Sequence, residues 1–148
     1  MDVITTILKA AKVAKVSGAL LVAICSHESQ GFTVNYTPQD KGSPSYSFCQ
    51  IKERTAVQMG FRGRAEDLNR TEVGAKFAAR YLKYQEKRYG DSWLHQTAAY
   101  NSGTYNPSNK VVGCPRNLAY IKLVKSKLPS ELQGRLECGG TEVAERGF

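Results

Sequence analysis

No stretch of this sequence stays apolar for the roughly 20 residues that a membrane-spanning helix needs. The most apolar run, Gly18 to Cys25, is far shorter, so no transmembrane segment is expected. Histidines number only two, and no cysteine pair has the close C-x-x-C spacing of a zinc or thioredoxin-like site, so neither metal nor cofactor is expected. The four cysteines, Cys25, Cys49, Cys114 and Cys138, are too sparse for a disulfide scaffold and leave three pairings open. Acidic residues are short as well: 13 Asp and Glu against 21 Lys and Arg give a net charge of +8. That balance favours an anionic partner, whether nucleic acid, an acidic membrane surface or a wall polymer. Repeats and low-complexity tracts are absent. With 41% hydrophobic and 23% charged residues the chain is not disordered by composition, and 148 residues fit a single domain, 1–148, expected to be monomeric.

Helical periodicity carries most of the remaining signal. Val3, Ile4, Ile7, Leu8, Ala11 and Ala14 share one face of a first helix, with Asp2 as its N-cap and Ser17-Gly18 as its stop. Ala19 to about Ser26 is apolar on every side, which predicts a helix driven through the middle of the domain, ending at His27-Glu28-Ser29. Lys9, Lys12 and Lys15 upstream of that run mimic an export signal. The basic part is itself a long amphipathic stretch, however, and cleavage would fall immediately before the most distinctive residues, so no signal peptide is expected. Residues 30–47 are rich in turn formers and predict a loop or small hairpin. Further helices are expected over 53–59, from Thr71 to before Gly90, over 93–100 and over 117–128. The tail from 134 to 148 has little to bury and is expected to be mobile.

Glu28 stands out because it follows a buried apolar helix directly and precedes a loop. A carboxyl partly withdrawn from water holds its proton to higher pH, which suits a general acid. Taken alone, Glu28 would read as an ordinary helix end. Three other segments change this. Ala23-Ile24-Cys25-Ser26-His27-Glu28-Ser29 is followed by Ser45-Tyr46-Ser47-Phe48-Cys49-Gln50-Ile51 with Thr55-Ala56 and Gly60 just after it, by Ala99-Tyr100-Asn101-Ser102-Gly103, and by Pro115 to Val124 with its Tyr120-Ile121 and Val124. In this order the segments resemble the catalytic domain of lytic transglycosylases, relatives of goose-type lysozyme. The likeness runs from about Leu20 to Val124, within a core of about 18–128. Ser45 and Ser47 stand where that family has Gly, and Cys49 where it has Met.

The resemblance implies a mainly α, α+β lysozyme-like fold and cleavage of the β-1,4 bond between N-acetylmuramic acid and N-acetylglucosamine in peptidoglycan, leaving 1,6-anhydro ends. Glu28 would be the sole catalytic acid. Gln50, Tyr100, Asn101 and Tyr120 would hold the sugars, since amides and phenols can bond N-acetyl and hydroxyl groups. Ser29, Tyr46 and Phe48 join them as groove candidates. Without the motifs, the tyrosines read as core aromatics, Asn101 as a helix C-cap and Gln50 as a loop tie. His27 and His95 are left out of the chemistry.

Two alternatives remain open at this level. A hydrolysing muramidase needs a second carboxylate, for which Asp40 and Glu53 are available, although Asp40-Lys41-Gly42 also reads as a turn. A nucleic-acid or anionic-surface module would use the stripe Lys76, Arg80, Lys83 and Lys87, with Tyr84 and Arg88 beside it. No groove-reading motif accompanies the stripe, so specific nucleic-acid binding is not expected. The chain is expected to act at the bacterial wall or in the periplasm, and a short, basic sequence without a signal suits a phage lysin or virion-associated enzyme.

Overall fold

The computed structural model describes residues 2–90, 92–109 and 113–130. Among them six α-helices, one hairpin and a 3₁₀ turn follow the order α1 (Val3–Ala14), α2 (Gly18–Glu28), β1 (Tyr36–Asp40), β2 (Ser43–Tyr46), α3 (Glu53–Gln58), the 3₁₀ turn (Ala65–Asn69), α4 (Thr71–Tyr89), α5 (Trp93–Ser102) and α6 (Leu118–Lys125). The fold is the expected mainly helical α+β arrangement, with its hairpin between α2 and α3. No helix among the described residues is long and apolar enough to cross a membrane. The tail expected to be mobile, 134–148, lies outside the described residues. The chain divides between Tyr84 and Gln85, inside α4, into two compact units.

In the first unit, α1 starts where the Asp2 carboxylate accepts from the Thr5 N–H at 2.8 Å and from the Thr5 hydroxyl at 3.0 Å. These bonds, the backbone one foremost, hold the Asp2 carboxyl below its ordinary pKa. The helix does not stop at Ser17-Gly18. It closes at Lys15, which is left-handed at φ 61°, and its N–H reaches the Ala11 and Lys12 carbonyls. Ser17 instead caps α2, accepting from the Leu20 N–H at 3.1 Å. Gly18 is the first residue of α2, and the two helices approach closely there: a Cβ would lie 2.7 Å from Leu8 Cδ2, the end of a flexible side chain. Having no polar face, α2 buries Leu20, Leu21, Ala23, Ile24 and Cys25.

Antiparallel pairing sets Tyr36 opposite Tyr46 and Thr37 opposite Ser45, with an irregularity before Asp40 meets Ser43. Lys41 and Gly42 turn the hairpin at positive φ. Beneath it Tyr46, Ile51, Ala56, Phe61, Leu68 and Phe77 form one apolar cluster, with the Phe61 and Phe77 rings edge to face at 5.3 Å.

Gly74, in the first turns of α4, has the closest surroundings of the described glycines. A Cβ built on it would lie 2.1 Å from Ser47 Oγ, 2.4 Å from Ser47 Cβ and 2.7 Å from the Leu68 carbonyl oxygen. Alanine would normally favour a helix over glycine by about 1 kcal/mol, but here overpacking, typically about 1–3 kcal/mol and more against backbone, outweighs it. Gly74→Ala is therefore expected to lower stability by about 2 kcal/mol in chemical denaturation. Adding Ser47→Gly removes two of the three close atoms and should recover part of that loss. No recovery in the double variant would show that Leu68, rather than Ser47, dictates the glycine.

In the second unit the end of α4 grips the end of α5. Gln85 is fully buried; its Nε2 donates to the Ala99 and Gly103 carbonyls at 3.3 and 3.2 Å, and its Oε1 accepts from Arg88 at 3.0 Å. Arg88 also donates to the Gly103 carbonyl at 2.9 Å and to Thr104 Oγ1 at 3.0 Å. Gly103, at φ 86°, makes the left-handed turn that ends α5. Leu94, Ala98 and Ile121 form the apolar contact between α5 and α6.

Candidate active site

Glu28 is the last residue of α2 and is half-buried. The chain leaves it through a turn of uncommon tightness: Gln30, Gly31 and Phe32 are all left-handed, at φ 53°, 74° and 65°. Gly31 N–H returns to the Ser26 carbonyl at 2.7 Å, and Ser29 holds the turn from inside. Ser29 is fully buried; its hydroxyl donates to the Cys25 carbonyl at 2.7 Å and accepts from the Phe32 N–H at 2.8 Å. The Ser29 side chain is therefore engaged with backbone, fixing the turn beside Glu28.

The second motif is strained in the same manner. Ser47 and Gln50 are left-handed at φ 64° and 52°. Four of the six non-glycine residues with positive φ among the described residues thus fall in the two segments that carry Glu28 and Gln50, while the other two, Lys15 and Lys41, close a helix and a hairpin. Each such residue costs on the order of 1 kcal/mol, and such outliers cluster where function over-determines geometry. What holds this loop is visible: Ser47 N–H donates to Asn69 Oδ1 at 3.1 Å, and the Tyr46 and Ile51 backbones exchange hydrogen bonds at 2.8 and 2.9 Å. The half-buried Gln50 amide donates from Nε2 to the Ser47 carbonyl at 2.8 Å, and its Oε1 accepts from the Thr37 hydroxyl at 2.6 Å.

A disulfide joins the two segments. Cys25, one turn before Glu28, is bonded to Cys49, the residue before Gln50. Both half-cystines are buried. Cys114 is disulfide-bonded too, and no described cysteine is free.

The remaining candidates of the first unit have their own surroundings. Tyr46 is a core side chain at 8% exposure, its ring 5.4 Å from that of Tyr36; burial foremost, then Tyr36, Glu53 and Glu66, pushes its phenol above the ordinary pKa. Phe48 is half-buried, edge-on to Phe32 at 6.1 Å. Asp40 ends β1, where its carboxylate accepts from the Ser45 hydroxyl at 2.7 Å. The Lys52 ammonium donates to the Asp40 carbonyl and to Ser43 across the hairpin. Glu53 opens α3 and is exposed.

In the second unit Tyr100 is buried near the end of α5, and Asn101 is exposed. Asn117 Nδ2 donates to Asn101 Oδ1 at 2.9 Å and to the Ala98 carbonyl at 3.0 Å, tying the end of α5 to the start of α6. Tyr120 is half-buried and packs on the Leu94, Ala98 and Ile121 cluster. His95 bonds Ser92 at 2.7 Å and lies against the Tyr105 ring at 4.3 Å, a packing environment. Nearby, the Thr104 hydroxyl and Tyr105 N–H hydrogen bonds, with Arg88 adding a smaller effect, hold the Tyr89 phenol below its ordinary pKa.

Thr37, Asn69, Gly74 and Asn117 are the positioning residues that sequence reading missed. Each acts through a contact distant in sequence, for which no local pattern exists. Compared with known proteins, the chain is matched by the family model described as transglycosylase SLT domain over residues 5–115. No curated protein matches it.

Proposed function

Since the chain belongs to the transglycosylase SLT domain family, whose members are peptidoglycan-cleaving lyases of glycosidic bonds, we propose that Glu28 is its single acid and base. The bond cut is the β-1,4 link from N-acetylmuramic acid to N-acetylglucosamine. Glu28 gives its proton to the glycosidic oxygen as the bond to C1 breaks. The resulting carboxylate then takes the proton from the muramic C6 hydroxyl as O6 closes onto C1. The proton is returned, no water enters, and the product is a 1,6-anhydro end.

One observation carries this reading: the Glu28 turn and the Gln50 turn, both strained, are bonded to each other through Cys25 and Cys49. A stable fold gains nothing from four left-handed non-glycine residues in two short segments, whereas a fixed acid beside a fixed amide is what sugar cleavage requires. Gln50, Tyr100, Asn101 and Tyr120 bind N-acetyl and hydroxyl groups in this scheme, and Ser29 acts by holding the turn. Asp40 is engaged by Ser45 within the hairpin, which favours its service as a turn residue over a second catalytic carboxylate. Mass spectrometry of muropeptides released from purified peptidoglycan tests the reaction. Anhydro ends, lighter by one water per cut, are expected. Full-mass reducing ends would instead make the enzyme a hydrolase.

A further inference from the structure

A groove of about 780 Å³ lies between α1 and the first half of α4, within the usual ligand-site range of about 300–1,000 Å³. Along α1 it is lined by the helical stripe Lys9, Ala10, Val13 and Ala14, and along α4 by Glu72, Lys76 and Arg80 at four-residue spacing. Three cations from two helices therefore face one space that also presents the exposed Val13 and the half-buried Ala10 and Ala14. Glu72 is the only acid in the lining, and its carboxylate is paired at 2.9 Å with Arg70, which does not line the groove. Neither Lys9 nor Lys76 has an ion-pair partner among the described residues. Arg80 is steadied by the Met59 carbonyl at 3.2 Å and by the Phe77 ring at 5.0 Å, which orient its guanidinium without neutralising it.

Converging like charges oppose folding, so stability does not account for them. We propose that this groove binds an anionic phosphodiester polymer of the cell wall, a poly(polyol phosphate), and holds the enzyme on its insoluble substrate. The identity of the polymer rests on the peptidoglycan reading above. The lining favours it over nucleic acid: single strands bind on open aromatic platforms, whereas Phe77 is buried and flanked by Lys76 and Arg80. Ala10, Val13 and Ala14 suit the methylene backbone of a polyol.

The test uses the whole chain carrying Glu28→Gln, with poly(glycerol phosphate) as probe and oligo(dT) and polyglutamate as competitors at matched charge, in about 0.15 M salt. Binding is expected to weaken at least about tenfold in Lys9→Gln/Lys76→Gln, with a shallower salt dependence. Lys122→Gln/Lys127→Gln, which removes the same charge from exposed positions near α6, should bind as the parent does. Equal weakening in both double variants, tighter binding of either competitor, or no binding would overturn the proposal. The binding assay needs no turnover, so if the parent cleaves peptidoglycan while its Glu28→Gln form ignores the probe the groove alone is refuted, and if the Glu28→Gln form binds while the parent cleaves nothing the reaction alone is refuted.

Discussion

Replacing Glu28 by Gln is expected to reduce peptidoglycan solubilisation by about 10²–10⁴-fold, the contribution of a positioned proton donor, while the melting transition stays close to that of the parent. Glutamine keeps the length and planar shape of the side chain at the half-buried end of α2. It can still accept and donate hydrogen bonds, but it cannot deliver a proton to a glycosidic oxygen. Turbidity loss of a peptidoglycan suspension gives the rate, and far-UV dichroism gives the fold. Normal activity would place the acid elsewhere. A collapsed melt would mean that Glu28 holds structure, and Glu28→Asp would then separate the two roles: it keeps the charge but withdraws the carboxyl, so a stable but inactive Asp variant still supports the catalytic assignment.

The Cys25→Ala/Cys49→Ala variant is expected to have the next largest effect. The bond closes a loop across a sequence separation of 24, for which the chain-entropy estimate is about 3 kcal/mol. In a chain of this size that corresponds to a melting temperature lower by roughly 6–12 °C. Activity measured well below the melt should fall as well, because the bond fixes the Gln50 turn against the helix that carries Glu28. Such bonds persist in oxidising surroundings, and the wall on which this family acts lies in such surroundings. A variant that melts earlier but cleaves at the parent rate would reduce the bond to a stability device.

Helices were legible because a 3.6-residue period survives in a linear sequence. The face carrying Val73, Phe77, Ala78, Tyr81, Leu82 and Gln85 was readable this way and is buried except at the half-buried Val73. The buried amide of Gln85 needed carbonyl partners 14 and 18 residues on, which no window on the sequence reveals. Ser17 was misread as a stop because a serine before glycine suits either a helix end or the next helix's cap, and the left-handed turn at Lys15, which already closes α1, leaves Ser17 to cap Leu20. The 3₁₀ turn at 65–69 is too short to show a period, yet it delivers Asn69 to Ser47. At the candidate site, residue types and order were readable, whereas the left-handed backbone of Ser47 and Gln50 was not, since both positions prefer other conformations.

The contact between Ser47 and Gly74 also constrains how this sequence can drift. With serine at 47, any side chain at 74 collides, so the two sites cannot change in either order. A lineage that places a larger residue at 74 must first lose the whole side chain at 47, since the Ser47 Cβ at 2.4 Å obstructs as its hydroxyl does, and it still meets the Leu68 carbonyl at 2.7 Å. Descendants that keep the serine inherit glycine at 74 as a fixed condition, whatever α4 would otherwise gain from alanine there.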